Sequence, residues 1–196
     1  MVEVKELWKL DPTTSYIVLD FEATCWEDNE NHEIIEWPMA LLNLSESKIQ
    51  REFRTFICPD ERVLSDFCRN LTGITQEQVD NGVFFPVALD AALEWMNDIP
   101  RPIMFLTCGN WDLKTMLPKD LLQWSKYLAP DAIENAKVFN NWKNIKDLFK
   151  ARFPLYLGAT DIPSMCAHLG IEMIGRLHSG MDDTRNLARI VLELQK

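Results

Sequence analysis

The sequence lacks the features that mark membrane, secreted and zinc-binding proteins. No apolar run approaches the ~18 residues that a membrane-spanning helix needs. The N-terminal stretch MVEVKELWKLDPTTS carries charges throughout and has no apolar centre of the kind found in signal peptides. The five cysteines include no pair with CxxC spacing, which argues against a disulfide framework or a structural zinc site. We therefore expect a cytosolic or nuclear protein, without membrane contact, whose cysteines are small buried apolar side chains.

Positive charge is also scarce. The chain has 20 Lys and Arg against 30 Asp and Glu, a formal net charge of −10, whereas nucleic-acid-binding proteins usually carry a basic surface. This balance argues against tight non-specific binding to duplex phosphates, but not against an enzyme that acts on short strands. One basic stretch, residues 137–153, contains five Lys or Arg and one Asp, with Trp142, Phe149 and Phe153 among them. It is the candidate for guiding a nucleic-acid backbone, and the alternative is an amphipathic helix with solvated lysines.

The order of the apolar patterns predicts an α/β fold. At 196 residues the chain is long enough for one domain with a substantial core, and no linker or repeat divides it, so we predict a single domain over residues 1–196. Strand-like segments are 16–22, 34–44, 49–57, 103–108 and a weaker one near 138–141. Helical segments are 64–72, 85–99, 111–117, 119–128, 144–152, 161–169 and 182–195. Three strands in a meander, followed by strands that alternate with helices, indicate a mixed five-stranded sheet flanked by helices. In the second helix, the residues expected to face the core are Val87, Leu89, Leu93 and Met96.

Two carboxylates interrupt the first strand-like segment. The stretch YIVLDFEATCW, residues 16–26, is apolar enough for the interior, yet it contains Asp20 and Glu22. Side chains two apart in a strand point to the same face, about 7 Å from each other. Burying two like charges together is costly unless a positive group lies between them. The stretch therefore predicts a cation at this face of the sheet.

Two further acids occupy positions where a ligand site is plausible. Asp112 follows an apolar strand and a Gly-Asn turn, and ligands in open α/β sheets gather beyond the carboxyl ends of strands. Asp183 begins the apolar stripe of the last helix, which continues through Leu187, Ile190, Val191 and Leu194. Each has a structural alternative, because an acid in the first turn of a helix is favoured by the helix dipole or caps the helix. Taken alone, neither position distinguishes the two interpretations.

Together the four acids indicate a divalent metal site. Hard oxygen donors in this number suit Mg²⁺ or Mn²⁺, and the absence of paired Cys and His argues against zinc. Two such ions about 4 Å apart can clamp the attacking and leaving oxygens of a phosphodiester. His178, five residues before Asp183 in a glycine-containing loop, is the candidate general base. His32, in the polar segment 26–33 that is typical of a solvated turn, and His168 are interpreted as structural or surface residues.

With these residues assembled, the sequence resembles a known family. The order Asp-x-Glu, Asp, His-x4-Asp is that of the DEDDh 3′→5′ exonucleases. The stretches DFEATCW, EIIEWPMALLN, LSDFCRNLTGITQEQVD, NWDLKTML and HSGMDDTRNLARI resemble the branch of the 3′ histone-mRNA exonuclease and its relatives in small-RNA turnover. The resemblance covers roughly residues 14–195. A DxE pair alone is a weak signal, but these stretches in order and at this spacing are a strong one.

The resemblance implies a fold, an activity and roles for particular residues. The fold would be RNase H-like, and the activity would be hydrolysis of single-stranded nucleic acid from the 3′ end to nucleoside 5′-monophosphates. Asp20, Glu22, Asp112 and Asp183 would hold two Mg²⁺ ions, which Mn²⁺ can replace, with Asp20 bridging both, and His178 would be the general base. Trp111 and Phe67 fall where the family stacks aromatic rings on the terminal base. Without the resemblance, both aromatics would be assigned to the core.

Several alternatives stay open at this point. The chain could be a catalytically inactive homologue that binds RNA or a protein, an endonuclease of the RNase H type, or an exonuclease that prefers DNA. RNA is favoured, but the groups that read a 2′-hydroxyl are not recognisable in the sequence. The founding members of the family also carry a small basic helical domain before the nuclease core, and this sequence starts almost at the first strand. We therefore expect a substrate with a generic single-stranded end rather than one particular structured RNA.

Overall fold

The computed structural model describes residues 6–25, 32–60 and 63–196. Among these residues there are six strands: β1 Ser15–Leu19, β2 Glu22–Ala23, β3 Ile34–Asn43, β4 Lys48–Phe56, β5 Ile103–Thr107 and β6 Trp142–Asn144. They form one sheet in the order β2-β3-β1-β5-β6, and β4 pairs with β3 on a separate branch. The α-helices are α1 Asp66–Thr72, α2 Gln76–Asp80, α3 Phe85–Trp95, α4 Leu117–Gln123, α5 Pro130–Asn135, α6 Ile145–Arg152, α7 Ile162–Leu169 and α8 Gly180–Leu194. A π-helix, Asp112–Met116, precedes α4, and a 3₁₀ helix, Ala136–Asn140, follows α5.

The sheet is mixed, as predicted. Strand β1 runs antiparallel to β3 and parallel to β5, and β5 runs parallel to β6. The sheet has one strand more than expected because the segment 16–22 breaks after Leu19. The amide of Phe21 donates to the Asp112 carboxylate at 2.9 Å instead of joining a strand ladder, which separates β1 from the two-residue β2.

Both faces of the central strands are covered by helices. Strand β1 alternates its side chains between two apolar clusters: Ile17 and Leu19 pack with α3, and Tyr16 and Val18 pack with α8. Because helices cover both faces, β1 and β3 are buried almost throughout, which explains why their sequences are nearly continuous apolar runs. The predicted stripe of α8 is confirmed, since its four apolar residues are all at most 1% exposed.

Three local predictions are wrong. The weak strand near 138–141 is instead a 3₁₀ helix, and the strand follows it as β6. Val87 is 53% exposed, because α3 turns Phe85, Ala88, Leu89 and Ala92 inward. Glu33, at the end of the segment expected to be a solvated turn, is only 3% exposed, whereas residues 26–31 of that segment lie outside the described residues.

Two short helices, α2 and α5, are absent from the sequence-based prediction. The start of α2 carries a readable signal, a capping box in which Thr75 and Gln78 each hydrogen-bond the other's backbone amide. Its five residues are too few to show an apolar period. In the described ranges, no helix has the length and apolarity that a membrane crossing requires. All five cysteines are free, and three of them are buried: Cys58, Cys68 and Cys166.

The topology brings the ends of two parallel strands together. Because β1 and β5 run in the same direction, the residues that follow them lie at the same edge of the sheet. Asp20 follows β1, and the turn after β5 leads into the π-helix that begins at Asp112. Helix α8 begins at the same edge, against the end of β1, so that Asp183 in its first turn lies beside them.

Candidate active site

Three of the four predicted acids form a compact cluster. Asp20, Glu22 and Asp183 can each offer a carboxylate oxygen so that all three oxygens lie within 4.8 Å of one another. Asp112 lies next to this cluster, since its charge helps to raise the pKa of Asp20. It is only 4% exposed, and its Oδ1 accepts the hydrogen bond from the Phe21 amide. The structure therefore brings together the four acids that the sequence separates by up to 163 positions.

The electrostatics of the cluster match its geometry. Burial, followed by repulsion from Asp112, Glu22 and Asp183, raises the pKa of Asp20 well above its ordinary value. Burial and the neighbouring carboxylates raise the pKa of Glu22 to about 9. Burial raises the pKa of Asp112 to about 6 and that of Asp183 to about 6. Without a cation the cluster therefore retains protons that isolated carboxyl groups would lose.

The two carboxylate oxygens of Asp183 have different surroundings. Oδ2 accepts a hydrogen bond of 2.7 Å from the backbone amide of His178. Oδ1 is buried and has no hydrogen-bond partner among the described residues, which is costly unless a ligand satisfies it. An oxygen in this state, beside two further carboxylates, fits a divalent cation with oxygen ligands.

His178 shares a pocket with two of the four acids. Its ring is exposed, and it lines the pocket of about 350 Å³ together with Asp20 and Asp183. Its backbone has a φ of 61°, a left-handed conformation that is uncommon for residues other than glycine. The hydrogen bond to Asp183 holds this turn, and such turns persist where the surrounding structure fixes them.

Glu36 is a buried acid that sequence reasoning missed. Its side chain is fully buried and accepts hydrogen bonds from Arg54 Nε at 2.8 Å and from the amides of Gly180 and Met181, both at 3.2 Å. It therefore caps α8, whose own N-cap residue, Ser179, makes no side-chain hydrogen bond. A single acid in the apolar stretch IIEWPMALL, residues 34–42, was the available signal, but its partners could be found only once the strand pairing was known.

Gly180 allows α8 to approach the end of β1. A Cβ at this position would lie 2.8 Å from the Asp20 carbonyl oxygen and 3.1 Å from Glu36 Oε2. Both are closer than ordinary van der Waals contact. The glycine is therefore required for the close approach that places Asp183 beside Asp20.

The two predicted aromatics are exposed, and Trp111 directly precedes Asp112 in the chain. Trp111 is 41% exposed and Phe67 is 42% exposed, so neither is a core residue. The Trp111 ring meets the edge of the His32 ring, with centroids 6.0 Å apart, and His32 Nδ1 hydrogen-bonds the carbonyl oxygen of Thr24 at 2.7 Å. Helix α1, which carries Phe67, is joined to the same segment by the hydrogen bond from Ser65 Oγ to the carbonyl oxygen of Cys25, 2.6 Å long.

Two other polar residues, Arg176 and His168, differ in their roles. Arg176 was not predicted; its guanidinium donates to the Asn70 carbonyl at the end of α1, and its charge weakly opposes the rise in the pKa of Glu22. His168 packs its ring against those of Phe149, Phe153 and Tyr156, with centroids 4.6–5.4 Å apart. It is a structural residue, as predicted.

Comparisons with known proteins agree with this geometry. The family model described as Exonuclease matches residues 17–191. The chain is 36% identical to 3′-5′ exoribonuclease 1 of Rattus norvegicus over 97% of this chain and 56% of that protein. It is 35% identical to ERI1 exoribonuclease 2 of Xenopus laevis over 89% of this chain and 27% of that protein. The chain thus spans about half, or less, of these curated relatives.

A solved structure gives the same result for the fold. The nuclease domain of 3′hExo, a DEDDh family member, bound to rAMP, superposes with a TM-score of 0.80 at 35% identity, covering 91% of this chain and 90% of that one. This likeness confirms the RNase H-like fold and the resemblance that the sequence stretches indicated. The family uses divalent metal, which the carboxylate cluster fits. The chain therefore belongs to the Exonuclease family, in the DEDDh group of 3′-5′ exonucleases.

Proposed function

We propose that this chain is a metal-dependent 3′→5′ exonuclease that shortens single-stranded nucleic acid from a free 3′ end. The observation that carries the proposal is the pocket that His178 lines together with Asp20 and Asp183. Two exposed aromatic residues add to it: Trp111, which precedes Asp112 in the chain, and Phe67 on α1. A single surface then offers metal ligands, a proton acceptor and a platform for a base. These are the three groups that removal of a terminal nucleotide requires.

The metals we propose are two Mg²⁺ ions, which Mn²⁺ can replace. Asp20, Glu22, Asp112 and Asp183 would hold them, with Asp20 shared between both. Support comes from the buried, unpartnered Asp183 Oδ1 and from the hard oxygen character of the donors. When bound, the ions supply positive charge for the attacking and leaving oxygens of the phosphodiester.

His178 is proposed to take the proton from the attacking water. The ring is exposed to the pocket, and the hydrogen bond from its amide to Asp183 fixes the backbone from which the ring projects. The oxygen of that water then bonds to phosphorus as the bond to the 3′ oxygen of the upstream nucleotide breaks. That 3′ oxygen leaves as a hydroxyl group once it is protonated, and the product is a nucleoside 5′-monophosphate.

Trp111 and Phe67 are proposed to stack on the terminal base. Stacking contributes about 1–3 kcal/mol per base and accepts any base, because every base has an aromatic face. This tolerance suits an enzyme that removes nucleotides one after another. Stacking of the terminal base also distinguishes this proposal from an endonuclease, because an endonuclease does not need to hold a free end.

RNA is the favoured substrate, and DNA is the alternative. The relatives are named exoribonucleases, and the similar nuclease domain was solved with rAMP. A catalytically inactive homologue that binds RNA or a protein is less favoured, since a binding module gains little from four mutually repelling carboxylates. The cytosolic or nuclear location stays a prediction.

The experiment uses two 5′-labelled single strands of identical sequence, one RNA and one DNA, incubated with Mg²⁺. The wild type is compared with Asp20→Asn, His178→Ala and the control Asp90→Asn, an exposed acid on α3. We expect ladders that shorten from the 3′ end, that persist in Asp90→Asn and that disappear in the other two variants. Strands that stay intact with the wild type, or full activity in Asp20→Asn, would refute the proposal. The relative rates on the two strands determine the sugar preference.

A further inference from the structure

The basic residues of the stretch 137–153 differ in what they contact. Lys137 pairs with Glu134 at 2.5 Å, and the Arg152 guanidinium lies 4.1 Å from the centroid of the Trp8 ring. Phe149, one of the interleaved aromatics, is fully buried in the core. These contacts and the buried Phe149 favour the amphipathic alternative for most of the stretch. Lys146 is the exception.

Lys146 lines the same pocket as His178, Asp20 and Asp183. It is half-buried, and its ammonium group forms no hydrogen bond or ion pair with the described residues. It also lies in the first turn of α6, where the helix dipole disfavours a cation. Three unfavourable features coincide at one lysine: partial burial, lack of a partner and position in the helix. An anion that enters the pocket would compensate for all three.

The charges around Lys146 indicate which kind of anion would bind there. Asp161, at the start of α7, also lines the pocket, and Lys146 contributes the smallest of the effects that lower its pKa. The Asp161 carboxylate is already engaged as the cap of α7, where it accepts from the Ser164 amide at 2.8 Å. If divalent cations neutralise the four acids of the site, Lys146 and Asp161 are the remaining opposite charges that line the pocket, and Lys146 is the one whose side chain has no hydrogen-bond partner among the described residues. A phosphate of the substrate strand has the matching charge and several acceptor oxygens.

The position of the pocket indicates which phosphate of the substrate strand would contact Lys146. Trp111 and Phe67 flank the segment after Glu22, on the side of β2 and α1. Lys146 lies with α6 and α7, and Asp20 and Asp183 border its pocket. If the terminal base stacks on the aromatics and the scissile phosphate lies at the acids, the strand continues towards Lys146.

We propose that Lys146 binds the phosphate immediately upstream of the scissile one. The proposal rests on the exonuclease function proposed above and names a further substrate subsite in the same pocket. It predicts that the enzyme recognises the end of a strand through two consecutive phosphates. A dinucleotide with a 5′-hydroxyl has only the scissile phosphate, whereas a 5′-phosphorylated dinucleotide has both.

The test compares kcat/KM for these two dinucleotides, with mononucleotide release measured by chromatography. We expect the wild type to favour the 5′-phosphorylated dinucleotide by about tenfold, as a charge-assisted contact of this kind provides. Lys146→Gln should lose that preference, so that its kcat/KM values for the two dinucleotides become equal, and Lys146→Arg should retain most of it. Lys150→Gln, an exposed lysine one turn further along α6, is the matched control and should behave as wild type.

The outcomes separate this proposal from the function on which it rests. A Lys146→Gln variant that keeps the preference would overturn the subsite, and so would one that loses activity on both dinucleotides equally. If the wild type cleaves neither dinucleotide, nor any longer strand, the exonuclease function itself fails. In that case equal dissociation constants of the wild type for the two dinucleotides would overturn the subsite as well.

Discussion

Glu22 and Glu36 face each other across the pairing of β2 with β3, yet their environments are opposite. Glu36 receives hydrogen bonds from Arg54 and from two amides at the start of α8. Glu22 receives none from the described residues, and its pKa rises to about 9. The pKa of Glu36 is also raised by burial, but all of its hydrogen bonds act to lower it. Burial alone therefore does not identify a functional acid. In this pair, the supply of hydrogen-bond donors distinguishes the carboxylate that stabilises the fold from the one that is available to a cation.

The largest expected effect comes from changing Glu22, the acid that receives no hydrogen bonds from the described residues. Glu22→Gln should lower kcat/KM at least about a thousandfold, since a metal ligand is lost. The same change should raise the free energy of unfolding of the metal-free protein by ~1 kcal/mol, because it removes a repelled carboxyl group. Kinetics and chemical denaturation in chelator, with Asp90→Asn as control, measure the two effects. A destabilised Glu22→Gln would contradict the contrast with Glu36.

The next effect comes from changing Glu36, the acid that receives three hydrogen bonds. Glu36→Gln should lower the free energy of unfolding by about 2–3 kcal/mol, because the Arg54 guanidinium then faces a neutral amide. Activity should fall as well, since α8 carries Asp183. A double-mutant cycle with Arg54→Gln isolates the pair: a coupling free energy near zero would show that the ion pair is not what anchors this helix.

Metal binding should distinguish the two acids again. Mg²⁺ at about 100 times its dissociation constant should raise the free energy of unfolding of the wild type by ~2.7 kcal/mol. The increase should persist in Glu36→Gln and be largely lost in Glu22→Gln. Thermal unfolding with and without Mg²⁺ measures it, and Mn²⁺ should give a similar increase. Equal shifts in the wild type and Glu22→Gln would exclude Glu22 as a ligand.

The smallest effect is on the pH dependence of stability. Because the pKa values of Glu22, Asp112 and Asp183 are raised in the folded state, the folded chain binds more protons than the unfolded chain. The free energy of unfolding of the metal-free protein should therefore fall, by about 1 kcal/mol or more, as the pH rises from 5 to 9. Saturating Mg²⁺ should flatten this dependence. Denaturation in chelator at several pH values is the measurement, and stability that rises over this range would contradict it.

Periodicity and residue type were sufficient to predict that the four acids come together. The stripe of α8 located Asp183, the turn after an apolar strand located Asp112, and alternation located Asp20 and Glu22. These signals are local, so a single sequence contains them. The roles of Trp111 and Phe67 came only from the resemblance, because an isolated aromatic residue is more often part of a core.

The features that sequence reasoning missed depend on partners distant in the chain. The break after β1 is made by Asp112, 91 positions from Phe21. Glu36 has its role only because α8 begins 144 positions later beside it. His32 contacts Trp111 across a comparable distance in the chain. In α3, two alanines provide part of the buried stripe, and their small size hid it from a search for large apolar residues.

Asp183 also couples the binding of a cation to the ordering of the turn at His178. One of its oxygens holds the amide of His178, and the other is the unpartnered oxygen at the acid cluster. A cation bound to Oδ1 of Asp183 would fix the carboxylate, and with it Oδ2, which accepts the hydrogen bond from the His178 amide. Conversely, a well-formed turn at His178 holds the Asp183 carboxylate in place for the cation. The exchange of a single backbone hydrogen with solvent therefore becomes a reporter of the metal site, since protection of the His178 amide should increase with metal occupancy even when no substrate is present.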